Sequence, residues 1–153
     1  MKKSKKLIKK SLEEYKELID SKKPDELSLS SYTVDKPWGE EKWLELNKYY
    51  AYKLIAMKKG CKSSLQLHEF KYESNFVIQG EAEVLLENEN GELVSKIFKA
   101  GEGWTVPIGR VHRVIAHTDY MALEVSTPHL NDVVRLEDDS KRESGKITGE
   151  HGA

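Results

Sequence analysis

The chain has 153 residues, the length of one domain, and 25 Lys+Arg against 26 Asp+Glu leave a formal net charge of -1, which gives no global field for nucleic acid. A single cysteine, Cys61, excludes an internal disulfide framework and fits a reducing, cytoplasmic setting. No apolar run approaches the roughly 20 residues of a bilayer span, and the basic N-terminus lacks the apolar core of a signal peptide, so no membrane partner is expected.

Six of the first ten residues are lysines. Leu7, Ile8, Leu12, Tyr15, Leu18 and Ile19 then recur at helical spacing, which predicts one amphipathic helix over 4–21, closed by Pro24. Glu13, Glu14, Glu17 and Asp20 dilute its positive charge, so it reads as a helix that docks on protein and not on an anionic membrane. Residues 22–34 read as a polar linker. From Lys36 onward the pattern changes to short strands over 41–46, 50–57, 63–68, 75–78, 82–87, 93–98, 104–106, 111–116 and 120–126. Asn88-Glu89-Asn90-Gly91 is the turn between two of them, with Gly91 supplying a positive φ. Many short strands with no helix between them predict an all-β sandwich or closed barrel. The expected organisation is helix and linker over 1–34, barrel over 35–137 and a disordered tail over 138–153.

Two spaced clusters carry the chemistry. The first is Gly60-x5-Gln66-x-His68-x4-Glu73-x6-Gly80, and the second is Gly101-x5-Pro107-x-Gly109-x2-His112. Gln66 and His68 are two apart and leave the same face of a strand. Glu73 follows a short turn, so one hairpin gathers three donors, and His112 arrives from a later strand. Imidazole nitrogens with carboxylate and amide oxygens suit a divalent transition metal: Zn, Mn, Fe, Co or Ni. Four donors leave coordination positions open, as catalysis or ligand capture requires. His117, His129 and His151 lack partners at ligand spacing and read as surface or packing residues. Arg113, next to His112, should point outward as a surface cation. Arg135 is expected to pair with Asp138, and Trp38, Trp43 and Trp104 are expected to pack.

The two spacings are cupin motifs, so the chain resembles the cupin superfamily and, within it, the type II phosphomannose isomerase domain. The resemblance runs from Lys36-Pro37-Trp38-Gly39 through Ser64-Leu65-Gln66-Leu67-His68 and Glu73. It continues through Val106-Pro107-Ile108-Gly109 and His112-Arg113 to Asp132-Val133-Val134-Arg135-Leu136-Glu137-Asp138. It implies a double-stranded β-helix (jelly-roll) barrel carrying Gln66, His68, Glu73 and His112 on a metal. It also implies interconversion of an aldose phosphate and a ketose phosphate, by proton transfer through a metal-stabilised enediolate. Lys71 stands in the column of a family arginine and is the catalytic candidate. The family's His-His-Arg run is here Glu69-Phe70-Lys71, and its His-Trp after the glutamate is Ser74-Asn75-Phe76. Lysine does not replace arginine in bidentate recognition, so the mannose phosphate itself is not implied. The expected partners are a carbohydrate or sugar phosphate and a second copy in a homodimer. The competing expectations are a lyase or dioxygenase cupin and a non-catalytic sugar-binding cupin.

Overall fold

Strict alternation builds the sheets. Along Ala51–Met57 the residues Ala51, Lys53, Ile55 and Met57 are buried, while Tyr52, Leu54 and Ala56 turn to the other face. A computed structural model describes residues 31–145, and the helix expected over 4–21 lies outside the described residues. The strands are β1 (Tyr32–Lys36), β2 (Gly39–Leu46), β3 (Ala51–Met57), β4 (Leu65–Leu67), β5 (Glu73–Gln79) and β6 (Glu81–Glu87). They continue with β7 (Leu93–Lys99), β8 (Gly103–Val106), β9 (His112–Ala116), β10 (Tyr120–Ser126) and β11 (Val134–Glu137). All strand pairs are antiparallel and form two sheets, ordered β1-β2-β3-β10-β5-β8 and β11-β4-β9-β6-β7. Among the described residues no helix is long and apolar enough to cross a membrane.

Both sheets feed one core. Ile55, Met57, Val77 and Ala122 from the first sheet meet Ala82, Val84 and Ala116 from the second, with Trp38, Trp104 and Tyr120 filling the ends. Trp43 is buried too, under the Lys53 ammonium 4.6 Å from its ring centroid. Cys61 packs half-buried against this core. The turn after β6 forms as the sequence predicts. Asn88 Oδ1 accepts the amides of Asn90 and Glu92, and Gly91 adopts φ 78°.

Five local expectations need correction. β1 begins at Tyr32, inside the stretch read as linker, and pairs with β2 from Tyr32↔Trp43 to Lys36↔Gly39. Its inward residues are Val34 and Lys36, too few apolar positions to stand out in the pattern. β11 was not expected as a strand; it pairs with β4 at Val134↔Leu67 and Arg135↔Gln66. Arg113 is 5% exposed, because the chain from Glu137 to Asp139 covers it. Its guanidinium donates to Ser63 O, Glu137 Oε1 and Glu137 O at 2.8, 3.2 and 3.3 Å. Asp138 pairs with Arg142, through Nε at 2.9 Å, while Arg135 donates to the carbonyls of Glu143 and Gly145. Residues 138–145 of the stretch expected as a disordered tail thus have defined partners, and Gly145 N donates to Val133 O at 2.8 Å.

The interior is not purely apolar. One row across the first sheet runs Trp43, Lys53, Glu124, Asn75, Trp104 in direct register, which sets three polar side chains between two tryptophans. Beside it, buried Glu41 accepts from Lys53 Nζ at 3.0 Å and Trp43 Nε1 at 2.9 Å, with Lys36 Nζ 3.9 Å away. Burial opposes ionisation of Glu41, but Lys53 and Lys36 outweigh it and hold its pKa down to about 2 from 4.5. A depressed carboxylate contributes stability that is complete above pH 4.5 and is lost as pH falls through about 2. That difference corresponds to about 3 kcal/mol. Urea unfolding between pH 5 and 2 is expected to show a loss of this size in wild type and a clearly smaller one in Glu41→Gln.

Candidate functional site

Three side chains converge between the sheets. His68 leaves the end of β4, Glu73 opens β5, and His112 opens β9; their donor atoms all lie within 4.8 Å of one another. Glu73 Oε2 is 3.4 Å from His68 Nε2, and Glu73 Oε1 is 3.6 Å from His112 Nε2. The imidazole centroids are 5.0 Å apart. Gln66 stands directly opposite His112 across the β4–β9 pair and lines the same cavity. Its Oε1 accepts the Ser64 hydroxyl at 2.5 Å, which leaves one lone pair of that oxygen for a fourth contact.

Main-chain carbonyls fix both rings. His68 Nδ1 donates to Asp132 O, and His112 Nδ1 donates to Arg110 O at 3.0 Å. A carbonyl accepts only, so each ring carries its proton on Nδ1 and turns the Nε2 lone pair toward Glu73. His68 Nε2 is buried and makes no hydrogen bond. An orphaned buried acceptor beside a second imidazole and a carboxylate is the arrangement a divalent ion satisfies, and such Nδ1–H···O=C contacts orient metal-bound histidines generally. The donors fit the metals expected from the sequence. Burial pulls the His112 pKa below the ordinary imidazole value, outweighing the Glu73 carboxylate, and keeps the ring available as a neutral donor. Burial alone would raise the Glu73 pKa; Lys71 and the two histidines hold it well below the usual range.

Asp132 organises the loop that joins β4 to β5. Its carboxylate accepts the amides of Glu69, Phe70 and Lys71 at 3.0, 2.7 and 2.8 Å, while its carbonyl holds His68. A second clamp comes from Gly109, whose φ of 77° lets its amide reach His68 O at 2.7 Å. Asp132→Ala is expected to weaken divalent-metal affinity 10–100-fold, as loss of an outer-shell partner typically does. Titration calorimetry checks this, and an unchanged affinity would remove the positioning role.

Lys71, the catalytic candidate, is buried beside the donors. Its Nζ lies 2.8 Å from Glu73 Oε2 and 3.0 Å from Glu124 Oε1. Burial favours the neutral amine, but Glu124 and then Glu73 outweigh it and raise the pKa above the ordinary lysine value. Glu124, inward on β10, is a site residue that motif spacing does not mark; only its alternation with Ala122 and Ser126 points inside. His117 is exposed and pairs with Glu83 at 3.0 Å, and exposed His129 bonds Thr127; neither reaches the site.

The family model for the mannose-6-phosphate isomerase C-terminal domain matches residues 23–139. The chain belongs to that family. The alginate biosynthesis protein AlgA of Pseudomonas aeruginosa is 30% identical over 111 residues, covering 69% of this chain and 22% of its own length. The xanthan biosynthesis protein XanB of Xanthomonas campestris is 29% identical over 135 residues, covering 83% of this chain and 28% of its own. The chain therefore spans about a quarter of these relatives. Solved cupins share the fold. A variant of Bacillus subtilis oxalate decarboxylase superposes with TM-score 0.62 at 21% identity, over 70% of this chain and 30% of its own. KdgF from Halomonas sp. gives 0.55 at 20%, over 63% and 87%. The two antiparallel sheets are thus the cupin barrel that the sequence motifs imply.

Proposed function

We propose that the chain is a metal-dependent sugar-phosphate isomerase or epimerase that moves a proton between adjacent carbons of its substrate. The observation that carries this reading is the Lys71 ammonium bridging Glu73, a candidate metal ligand, and Glu124, a carboxylate outside the ligand set. His68, Glu73 and His112, with Gln66 as the fourth donor, would hold the ion, which supplies Lewis-acid polarisation of a substrate oxygen when bound. Lys71 is held protonated and so serves as a cation that orients an oxygen, not as the base. The proton-carrying role then falls to Glu124. Buried Tyr120 lines the same cavity; burial, then Glu124, push its pKa up, so it stays a phenol and can donate.

The cavity is lined by charge of both signs, Lys36, Lys53, Lys71, Arg135 and Arg142 with Glu41, Glu73 and Glu124, and Arg142 is paired with Asp138. A lining this polar suits a hydroxylated, charged ligand better than an apolar one. Membership of the family and the polysaccharide-biosynthesis relatives make a sugar phosphate the natural candidate; a cytoplasmic location fits such a substrate. The test incubates Mn- or Zn-loaded protein with a panel of aldose and ketose phosphates in deuterated water. Deuterium at C2, with or without net product, is the expected result. Neither product nor exchange across the panel would sink the isomerase reading, and melting shifts without turnover would leave a sugar-binding module.

A further inference from the structure

One neutral polar side chain stands between Glu73, a candidate metal ligand, and Glu124, the carboxylate given the proton above. Asn75 follows Glu73 by two residues on β5, so it leaves the same face and lines the same cavity. Across the sheet its direct partners are Glu124 on β10 and Trp104 on β8. Side chains paired in this way stand about 5 Å apart at Cβ. Asn75 is 9% exposed, and a buried amide is costly unless its polar ends are used. One end is used. Asn75 Nδ2 donates to Glu73 Oε1 across 3.5 Å, and because a carboxylate only accepts, the amide carbonyl must face the other way. Among the described residues nothing donates to that Oδ1, and it is not sealed within the protein. It is an acceptor held open to the cavity.

We propose that Asn75 is a specificity-determining residue, whose Oδ1 accepts a hydroxyl of a polyhydroxy ligand lying between the metal donors and Glu124. This rests on the sugar-phosphate reading of the same site. The two carboxylates flank Asn75, one along its strand and one across, so a ligand that spans them passes over the amide. The hydroxyl it meets is therefore on the reacting carbons or beside them. Trp104 forms the opposite wall, and its ring packs on Phe98 with centroids 5.0 Å apart. An acceptor on one side and an aromatic wall on the other suit a carbon that bears both an O–H and a C–H, as sugar carbons do. A deoxy carbon in this place would leave Oδ1 without a donor, and a site built to bond a hydroxyl rejects the analogue that lacks it. Where the family motif carries tryptophan this chain carries Asn75, and an indole can donate but not accept, so the contact belongs to this chain.

Calorimetry on the Mn-loaded full chain, with hexose 6-phosphates and their 2-, 3- and 4-deoxy analogues, tests it. In wild type one deoxy analogue is expected to bind roughly 10- to 100-fold more weakly than its parent. In Asn75→Leu, which keeps the branched shape and loses both polar ends, that parent and analogue should bind within about threefold of each other, while the other analogues keep their wild-type ratios. Metal affinity should change by no more than about threefold, because the contact to Glu73 is long. A residue that merely oriented Glu73 would weaken parent and analogue alike. An unchanged ratio in Asn75→Leu therefore overturns the proposal and leaves the isomerase reading untouched. A wild type that binds every analogue as tightly as its parent, or binds no sugar phosphate, overturns it too. Should Asn75→Leu fail to fold, Asn75→Ala carries the same comparison. The expected ratios without turnover or C2 exchange would sink the isomerase reading and uphold the role of Asn75.

Discussion

Glu73→Gln is expected to lower affinity for Mn or Zn by about 1,000-fold, with the barrel still folded. Four-ligand structural sites bind zinc with about 10–16 kcal/mol, or roughly 2.5–4 kcal/mol per donor, and tenfold is about 1.4 kcal/mol. Glu73 is the only anion among His68, Glu73, His112 and Gln66, so its removal costs charge as well as a bond. The geometry adds a second penalty. The Lys71 ammonium, 2.8 Å from Glu73 Oε2, is compensated there by that carboxylate. With an amide in its place the ammonium repels the incoming ion, partly screened by Glu124. The amide keeps the shape and can still accept from Lys71, so the loss reports on charge and not on collapse. Elemental analysis and calorimetry on wild type and Glu73→Gln give the comparison. Equal uptake by the two proteins would place the ion elsewhere.

How much of this could be read from residues alone depends on which physical signal each one carried. Gln66 and His68 announce a shared face by their spacing, but Glu73 does not close a hairpin with them: β4 and β5 lie in different sheets, and the loop that Asp132 pins carries the chain across. His112 comes from a strand 39 residues after Glu73 in sequence, and it was legible because Pro107 and Gly109 mark the turn before it. β11 was hidden because its residues Val134, Arg135, Leu136 and Glu137 alternate without a buried face. Arg113 looked solvated because the pattern shows alternation but not that residues 137–139 fold back over it. Lys53 and Glu41 were missed for a deeper reason. Hydrophobic-in reading assumes the apolar side of a strand is the core side, and β3 defies it with Lys53 inside and Leu54 outside. Both faces of β3 and β10 carry apolar residues, with charge on the cavity side, so alternation alone does not say which is which. The same ambiguity concealed Glu124, set between Leu123 and Val125.

Glu124→Gln is expected to cut turnover of the responsive sugar phosphate by 100- to 10,000-fold, the range a positioned general base contributes. Metal affinity should stay within about threefold, because Glu124 touches the ion's ligand set only through Lys71. The substitution is nearly isosteric, and the amide oxygen can still accept from Lys71 Nζ, so the ammonium keeps its place. What is lost is a group that can take a proton. Lys71 does not stand in, since its amine is held protonated between two carboxylates in wild type and keeps Glu73 in the variant. Two readouts separate chemistry from packing. C2 deuterium exchange must fall together with turnover if Glu124 removes that proton; exchange that persists while product formation drops puts Glu124 at a later transfer. Lys71→Met supplies the complementary case. It leaves Glu73 and Glu124 facing each other without the cation, and two like charges so placed disfavour joint ionisation. Its rate should therefore recover as pH rises, whereas Glu124→Gln should stay slow at every pH. A Glu124→Gln enzyme as fast as wild type would return the proton to some other residue of this cavity.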